Sequence, residues 1–148
     1  MPKTDIKIKL KIERFNKRLR KMRENATNKN PLTGKVAIVM HKDVMDHFKR
    51  ETGPDIRWQA LRLSTVKRRR KGSQEILQDT GLLRASIMLK NTKTTASVFT
   101  NLKYAKIHNE GGRTPHGVKI PQRKFLWISK DAMKLIGKMV GKFHIGER

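Results

Sequence analysis

Gly81–Thr100, GLLRASIMLKNTKTTASVFT, decides the fold class, because the texture of the chain changes inside it. Ile87 and Leu89 fall at a spacing of two, as do Ala96, Val98 and Thr100, and a side-chain period of two belongs to a strand with one buried face. The Lys90–Thr95 segment between the two runs is polar, so the pair reads as a β-hairpin. Immediately before it, Asp79-Thr80-Gly81 is turn chemistry. An Asp or Thr side chain there can accept from the amides that follow, and Gly81 tolerates φ values that other residues resist. The turn aims Leu82, Leu83 and the strand after them.

Upstream of this hairpin the periodicity is helical. From Thr33, placed to cap, to about Arg50, the residues Val36, Met40, Val44 and Phe48 recur in steps of four. Residues 6–24 set Ile8, Ile12, Phe15, Leu19 and Met22 on one helical face with Lys and Arg on the others. Ile6, Ile8, Leu10 and Ile12 also alternate, so a strand competes with the helix over the first dozen residues. Asn25–Thr33 is rich in turn formers and separates the two helical stretches. Gly53-Pro54-Asp55 makes another turn, and Trp58, Leu61 and Leu63 follow it as core anchors. Lys67–Lys71 (KRRRK) with Gly72-Ser73 reads as an exposed basic loop.

Downstream, a polar loop around Gly111–Gly117 leads to Ile120–Ile128 as a third strand. Met133, Ile136, Met139 and Val140 then mark a closing helix over Lys130–Lys142, weakened by Gly137 and Gly141. The expected architecture is α+β: N-terminal helices followed by a small antiparallel β-sheet and a C-terminal helix. Residues 1–148 suit one domain, with 1–30 as a basic helical N-terminal segment, since two domains of this total length would each be marginal.

Apolar residues make up only 36% of the chain, below the usual fraction of about 45–50%. The core must therefore be modest, and some apolar surface is left for burial on assembly. Lys and Arg number 36 against 12 Asp and Glu, a net charge of +24 that favours a polyanionic neighbour. No run approaches the roughly 20 apolar residues of a membrane span. The first 30 residues are basic throughout, without the apolar stretch of a secretion signal. With no Cys, disulfides and thiolate metal sites are excluded, and synthesis in the cytosol is expected.

Three readings compete for Lys67, Arg68, Arg69, Arg70 and Lys71: a solvated loop, a face for phosphate, or a face for the acidic surface of a protein partner. No aromatic residue interrupts this run, so any DNA contact is to backbone and not to bases. His108-Asn109-Glu110 with His116 lacks the spacing of a metal protease helix, and no Cys completes a zinc shell, so neither metal nor cofactor is expected. Ser64, Thr65 and Ser86 lie in no nucleophile elbow. Alternation over the third strand places Phe125 and Trp127 on one face and Leu126 on the other. Leu126 by its face, and Arg123 by its place beside the bulky run, become candidates for a subunit interface, beside a reading in which the segment is core alone.

Four phrases in order carry a resemblance: Phe48–Trp58 (FKRETGPDIRW), Ile76–Ile87 (ILQDTGLLRASI), Tyr104–Gly112 (YAKIHNEGG) and Ile120–Ser129 (IPQRKFLWIS). Together they resemble the virion morphogenesis family of tailed bacteriophages, the tail-completion proteins of Mu-like particles. The residues that carry it include Trp58, Asp79, Thr80, Gly81, Tyr104, His108, Pro121, Arg123, Phe125 and Leu126, within a family-like region over residues 45–135. The Ile56-Arg57 insertion and the basic N-terminal third depart from the pattern. The resemblance implies a non-enzymatic structural protein of the tail or neck, made in the bacterial host cytoplasm. It further implies a homo-oligomeric ring, commonly a hexamer, that completes the tail and joins it to the head. Its partners would be tail tube or sheath and head-connector proteins, with non-specific contact to packaged DNA and no membrane. The rival from another class is a free, non-specific nucleic-acid-binding basic protein, supported by charge alone.

Overall fold

A computed structural model describes the protein over residues 13–27 and 30–145. Its elements are α1 (Glu13–Thr27), α2 (Asn30–Arg50), α3 (Leu63–Arg68), α4 (Leu82–Ala85), β1 (Met88–Asn91), β2 (Ala96–Phe99), α5 (Ala105–Glu110), β3 (Gly112–Arg113), β4 (Lys119–Ile120) and α6 (Lys130–Ile145). The chain is α+β, with helices first, small antiparallel pairs in the middle and a closing helix. None of the described helices is long and apolar enough to cross a membrane.

The spine is α2, whose apolar stripe is legible in steps of four. Val44 and Phe48 are fully buried, joined by Ala37 from further up the helix. The hairpin β1–β2 packs on α2, α6 packs on it too, and α1 lies against α6. The helix begins three residues before the expected cap, at Asn30. Thr33 is therefore inside it, and its hydroxyl donates to the Thr92 carbonyl of the hairpin turn at 2.5 Å. His41 adds a second tie through Nε2 to the Ile87 carbonyl, 3.2 Å away. Of the expected α1 stripe, Ile8 and Ile12 lie outside the described residues, as do Ile6 and Leu10.

The hairpin pairs Met88 with Phe99 and Leu89 with Val98. Its turn is closed by Thr92, whose amide donates to the Thr95 carbonyl at 2.8 Å while its hydroxyl accepts from the Thr95 amide at 3.1 Å. The third strand differs from expectation. Only Lys119–Ile120 is strand, paired with Gly112–Arg113 in a separate hairpin, and residues 121–129 form no ladder. Their backbone groups instead go to side chains of distant elements. Asn109 Oδ1 accepts from the amides of Phe125 at 3.1 Å and Leu126 at 3.0 Å. Trp58 Nε1 donates to the Lys124 carbonyl at 3.1 Å, and His47 Nδ1 donates to the Phe125 carbonyl at 3.1 Å.

The main core is Val44, Phe48, Trp58, Ile76, Leu83, Ile87, Ala105 and Phe125. Phe48 sits at its centre, edge-to-face with Trp58 at 5.7 Å and tilted against Phe125 at 5.3 Å. Truncating a buried ring of this kind costs about 3–5 kcal/mol. Leu63, expected as an anchor, is 79% exposed: it opens α3 on the solvent side, and Leu61 packs against the core instead. Leu126 is not outward-facing either. Without the strand there is no alternation, and Leu126 packs partly buried against the core, while Trp127 stacks on the buried His47 ring at 4.1 Å.

The start of α6 is fixed from α2. Asp43 accepts from both the amide and the hydroxyl of Ser129, each at 2.7 Å, and Ser129 Oγ in turn accepts from the Ala132 amide at 3.1 Å. Ser129 is thus an N-cap, a feature that typically contributes about 1 kcal/mol, held in place by a half-buried carboxylate.

Candidate functional site

Three of the four sequence phrases meet at one open groove of about 510 Å³. One wall is the extended segment 59–62 and the first turns of α3. The turn at Asp79-Thr80 with Leu83 of α4 forms a second, and Tyr104 with His108 of α5 a third. Val118 to Pro121 and Arg123 close the remaining side. Gly81 makes the second wall possible: its φ of 73° lies in the left-handed region, and the Thr80 hydroxyl accepts from the Leu82 amide at 3.4 Å. Gly111 makes the closure possible. With φ at 74°, a side chain there would place its Cβ 2.9 Å from the Gln122 nitrogen, so only glycine lets α5 end this close to the segment after β4.

The groove is cationic. Arg62, Arg68, Arg69, Lys119 and Arg123 all line it, against the single carboxylate of Asp79. Among the described residues, none of these five cations is in an ion pair. Arg123 is 7% exposed and its guanidinium donates twice to the Gln59 carbonyl, from Nε at 3.2 Å and a terminal nitrogen at 2.9 Å. Burial lowers its pKa from the usual arginine value, nearby Arg69 lowers it further, and Glu51 opposes both. The Arg123 amide donates to the His108 carbonyl at 2.8 Å.

His108 stands edge-to-face with Tyr104, one turn earlier, with ring centroids 5.9 Å apart. Its Nδ1 is buried and has no hydrogen-bond partner among the described residues. Burial first, and the charge of Arg123 second, hold its pKa below the usual histidine value, which favours the neutral ring. A neutral imidazole has one donor and one acceptor, which suits recognition beside cations. No group of three metal-ligating His, Asp or Glu side chains occurs among the described residues.

The structure divides the basic pentad rather than leaving it as a loop. Lys67 and Arg68 close α3, Arg69 follows it, and Arg70 to Gly72 form a 3-10 turn. Arg68 donates from Nε to the Ser64 carbonyl at 3.2 Å, and Arg69 is bonded to the Glu75 carbonyl. Those two line the groove, whereas Lys67 and Lys71 are exposed outside it. Trp58 and Phe125 lie in the core behind the groove, and Pro121 with Tyr104 lies on its walls. His116 is exposed in the β3–β4 turn, apart from His108. Sequence reasoning missed Arg62, Lys119 and Gln59 as wall residues and Asn109 as the clamp. Of these only Asn109 leaves a trace, as the polar residue between His108 and Gly111.

Residues 10–143 match the sequence model of the phage virion morphogenesis family. Over 113 residues the chain is 33% identical to "Mu-like prophage FluMu G protein 2" of Haemophilus influenzae, an alignment covering 75% of each chain. No solved structure matches.

Proposed function

The chain belongs to the phage virion morphogenesis family, and from that premise we propose that it is the tail-completion, tail-terminator or head-tail neck subunit of its particle. It is a structural protein of virion morphogenesis. In the proposed role it acts by surface recognition, without catalysis. Identical subunits form a ring, commonly sixfold, that closes the tail and offers a face to the head. In the proposed role the region that matches the family, residues 10–143, works as one domain. Neighbours on one side are tail tube or sheath subunits and on the other the head connector, so the protein resides at the tail or neck of the virion.

What supports the proposal is the convergence of Asp79, Thr80, Tyr104, His108, Pro121 and Arg123 on one groove whose cations make no ion pair among the described residues. Large apolar side chains are also left outside the core, such as Ile56 at 78% and Met133 at 57% exposure. Such a surface is what a subunit needs when part of its burial happens on assembly. Deleting the gene should yield heads and tails that do not join, and the protein should be present at fixed copy number in purified particles. Its absence from particles refutes the proposal.

The outward cations Lys67 and Lys71 favour a second, compatible contact, with the phosphates of DNA passing the ring. Free binding to nucleic acid, with no assembly, remains the rival function. Sedimentation distinguishes the two: the rival stays a monomer or dimer, whereas the virion subunit forms rings alone or on tails.

A further inference from the structure

We propose that the groove between α3, α5 and β4 is a docking site for an acidic peptide segment of another virion protein, one that alternates carboxylate and apolar side chains. The site follows from its composition. Arg62, Arg68 and Arg69 line it from the segment before α3, from α3 and from the residue after it, and Lys119 and Arg123 line it from β4 and the segment that follows. Five cations converging on a recess repel one another unless an anion enters, and the one carboxylate on the rim, Asp79, cannot neutralise them all. Burial and a neighbouring cation already depress the pKa of Arg123, so an incoming carboxylate would relieve an existing electrostatic cost. His108, on the α5 wall, adds a buried ring nitrogen with no hydrogen-bond partner among the described residues.

The occupant is peptide rather than DNA because apolar side chains stand among the cations. Leu61 and Val118, the latter 54% exposed, offer surface that a phosphodiester backbone cannot use. A volume of about 510 Å³ falls in the range of clefts that hold a drug-sized ligand, which is room for a few side chains of a peptide and too little for a duplex. The occupant is also another protein rather than a second copy. The 12 acidic residues of this chain are never adjacent, and the nearest two, Asp43 and Asp46, are engaged by Ser129 and Lys49. The proposal rests on the virion role only for where the partner is found; the groove's chemistry stands without it.

The test uses the purified full chain and fluorescence anisotropy at physiological ionic strength. The probes are a labelled decapeptide alternating Glu and Leu, its Gln and Leu counterpart, and a mixed-sequence DNA duplex. Two variants of equal charge change are compared: R62Q with R68Q and K119Q in the groove, and K35Q with K90Q and K138Q on exposed positions elsewhere. Melting curves check that both fold. The groove triple should weaken the Glu peptide by about tenfold or more, the distant triple by less than about twofold, and the Gln peptide should bind about tenfold more weakly than the Glu peptide. Equal losses in the two triples mean general attraction to a basic surface and overturn the site. A Glu peptide that fails to bind does the same. Duplex that binds and is released by the groove triple as the peptide is would make this a phosphate site and overturn the peptide assignment. Presence or absence in purified particles reads the virion role separately, so either can fail alone.

Discussion

Replacing Asn109 by Ala removes one oxygen and strands two amides. Asn109 Oδ1 accepts from Phe125 N at 3.1 Å and Leu126 N at 3.0 Å, the two residues that carry the 121–129 segment into the core. An unmade bond at a desolvated amide costs about 1–3 kcal/mol, and two such amides set a ceiling near 6 kcal/mol. Asn109 is half-buried, so water reaches part of the gap and the lower half of that range applies, about 2–4 kcal/mol. For a domain of this size each kcal/mol moves the midpoint by about 3 °C, so Asn109→Ala should melt about 6–12 °C below the parent. Asn109→Asp keeps both acceptor interactions in the same shape and should lose less than half as much. The assay is thermal unfolding by circular dichroism, with urea unfolding to confirm an unchanged slope. An Ala variant within about 2 °C of the parent, or an Asp variant as damaged as the Ala variant, would refute the clamp.

Trp58 gives a second test: Trp58→Ala should cost about 3–5 kcal/mol, while Trp58→Phe keeps most of the packing and loses chiefly the bond to the Lys124 carbonyl, about 1 kcal/mol, both read by urea unfolding. For His108 the folded pKa lies below 6.5, so the unfolded chain takes up the proton first as pH falls. The neutral ring's contribution is complete above pH 6.5 and is lost as pH falls through the folded value; His108→Gln should flatten the stability profile in that window, and an unchanged profile counts against the burial argument. If DNA touches the outward cations, the double variant of Lys67→Gln and Lys71→Gln should make the dependence of log K on log salt shallower by about 0.9 for each phosphate no longer neutralised, and an identical slope excludes these residues from the DNA face.

The parts of the fold that sequence reveals are those whose partners are close in sequence or repeat. The α2 stripe through Val44 and Phe48 shows because burial recurs with the helical period, and the β1–β2 hairpin shows because its polar turn lies between its two strands. Asp79-Thr80-Gly81 shows because a turn is chemistry within a few residues. What stays hidden depends on distant pairs. The run Phe125-Leu126-Trp127 has the composition of a strand, but the amides of Phe125 and Leu126 find Asn109, sixteen and seventeen residues away, and no periodicity records that. Five successive cations at Lys67–Lys71 likewise mask the short helix that ends inside them, so that the division into groove-facing Arg68 and Arg69 and outward Lys67 and Lys71 appears only in three dimensions.

The irregular segment 121–129 links stability to recognition. A strand in its place would be held by its neighbours in a ladder and would be indifferent to single side chains. Here Trp58, His47, Asn109 and Asp43 each hold it through one or two bonds, so its position is the sum of a few interactions from α2, α5 and the stretch after the Gly53 turn. Its N-terminal end, Pro121 to Arg123, is a wall of the groove, and its C-terminal end caps α6. An occupant that pulled on Arg123 would therefore work against the Gln59 carbonyl and the His108 carbonyl, and through them against α5 and the core. Binding energy in the groove and folding energy of the subunit are then drawn from the same bonds. An occupant of the groove would then add to the same few bonds that hold the 121–129 segment in place.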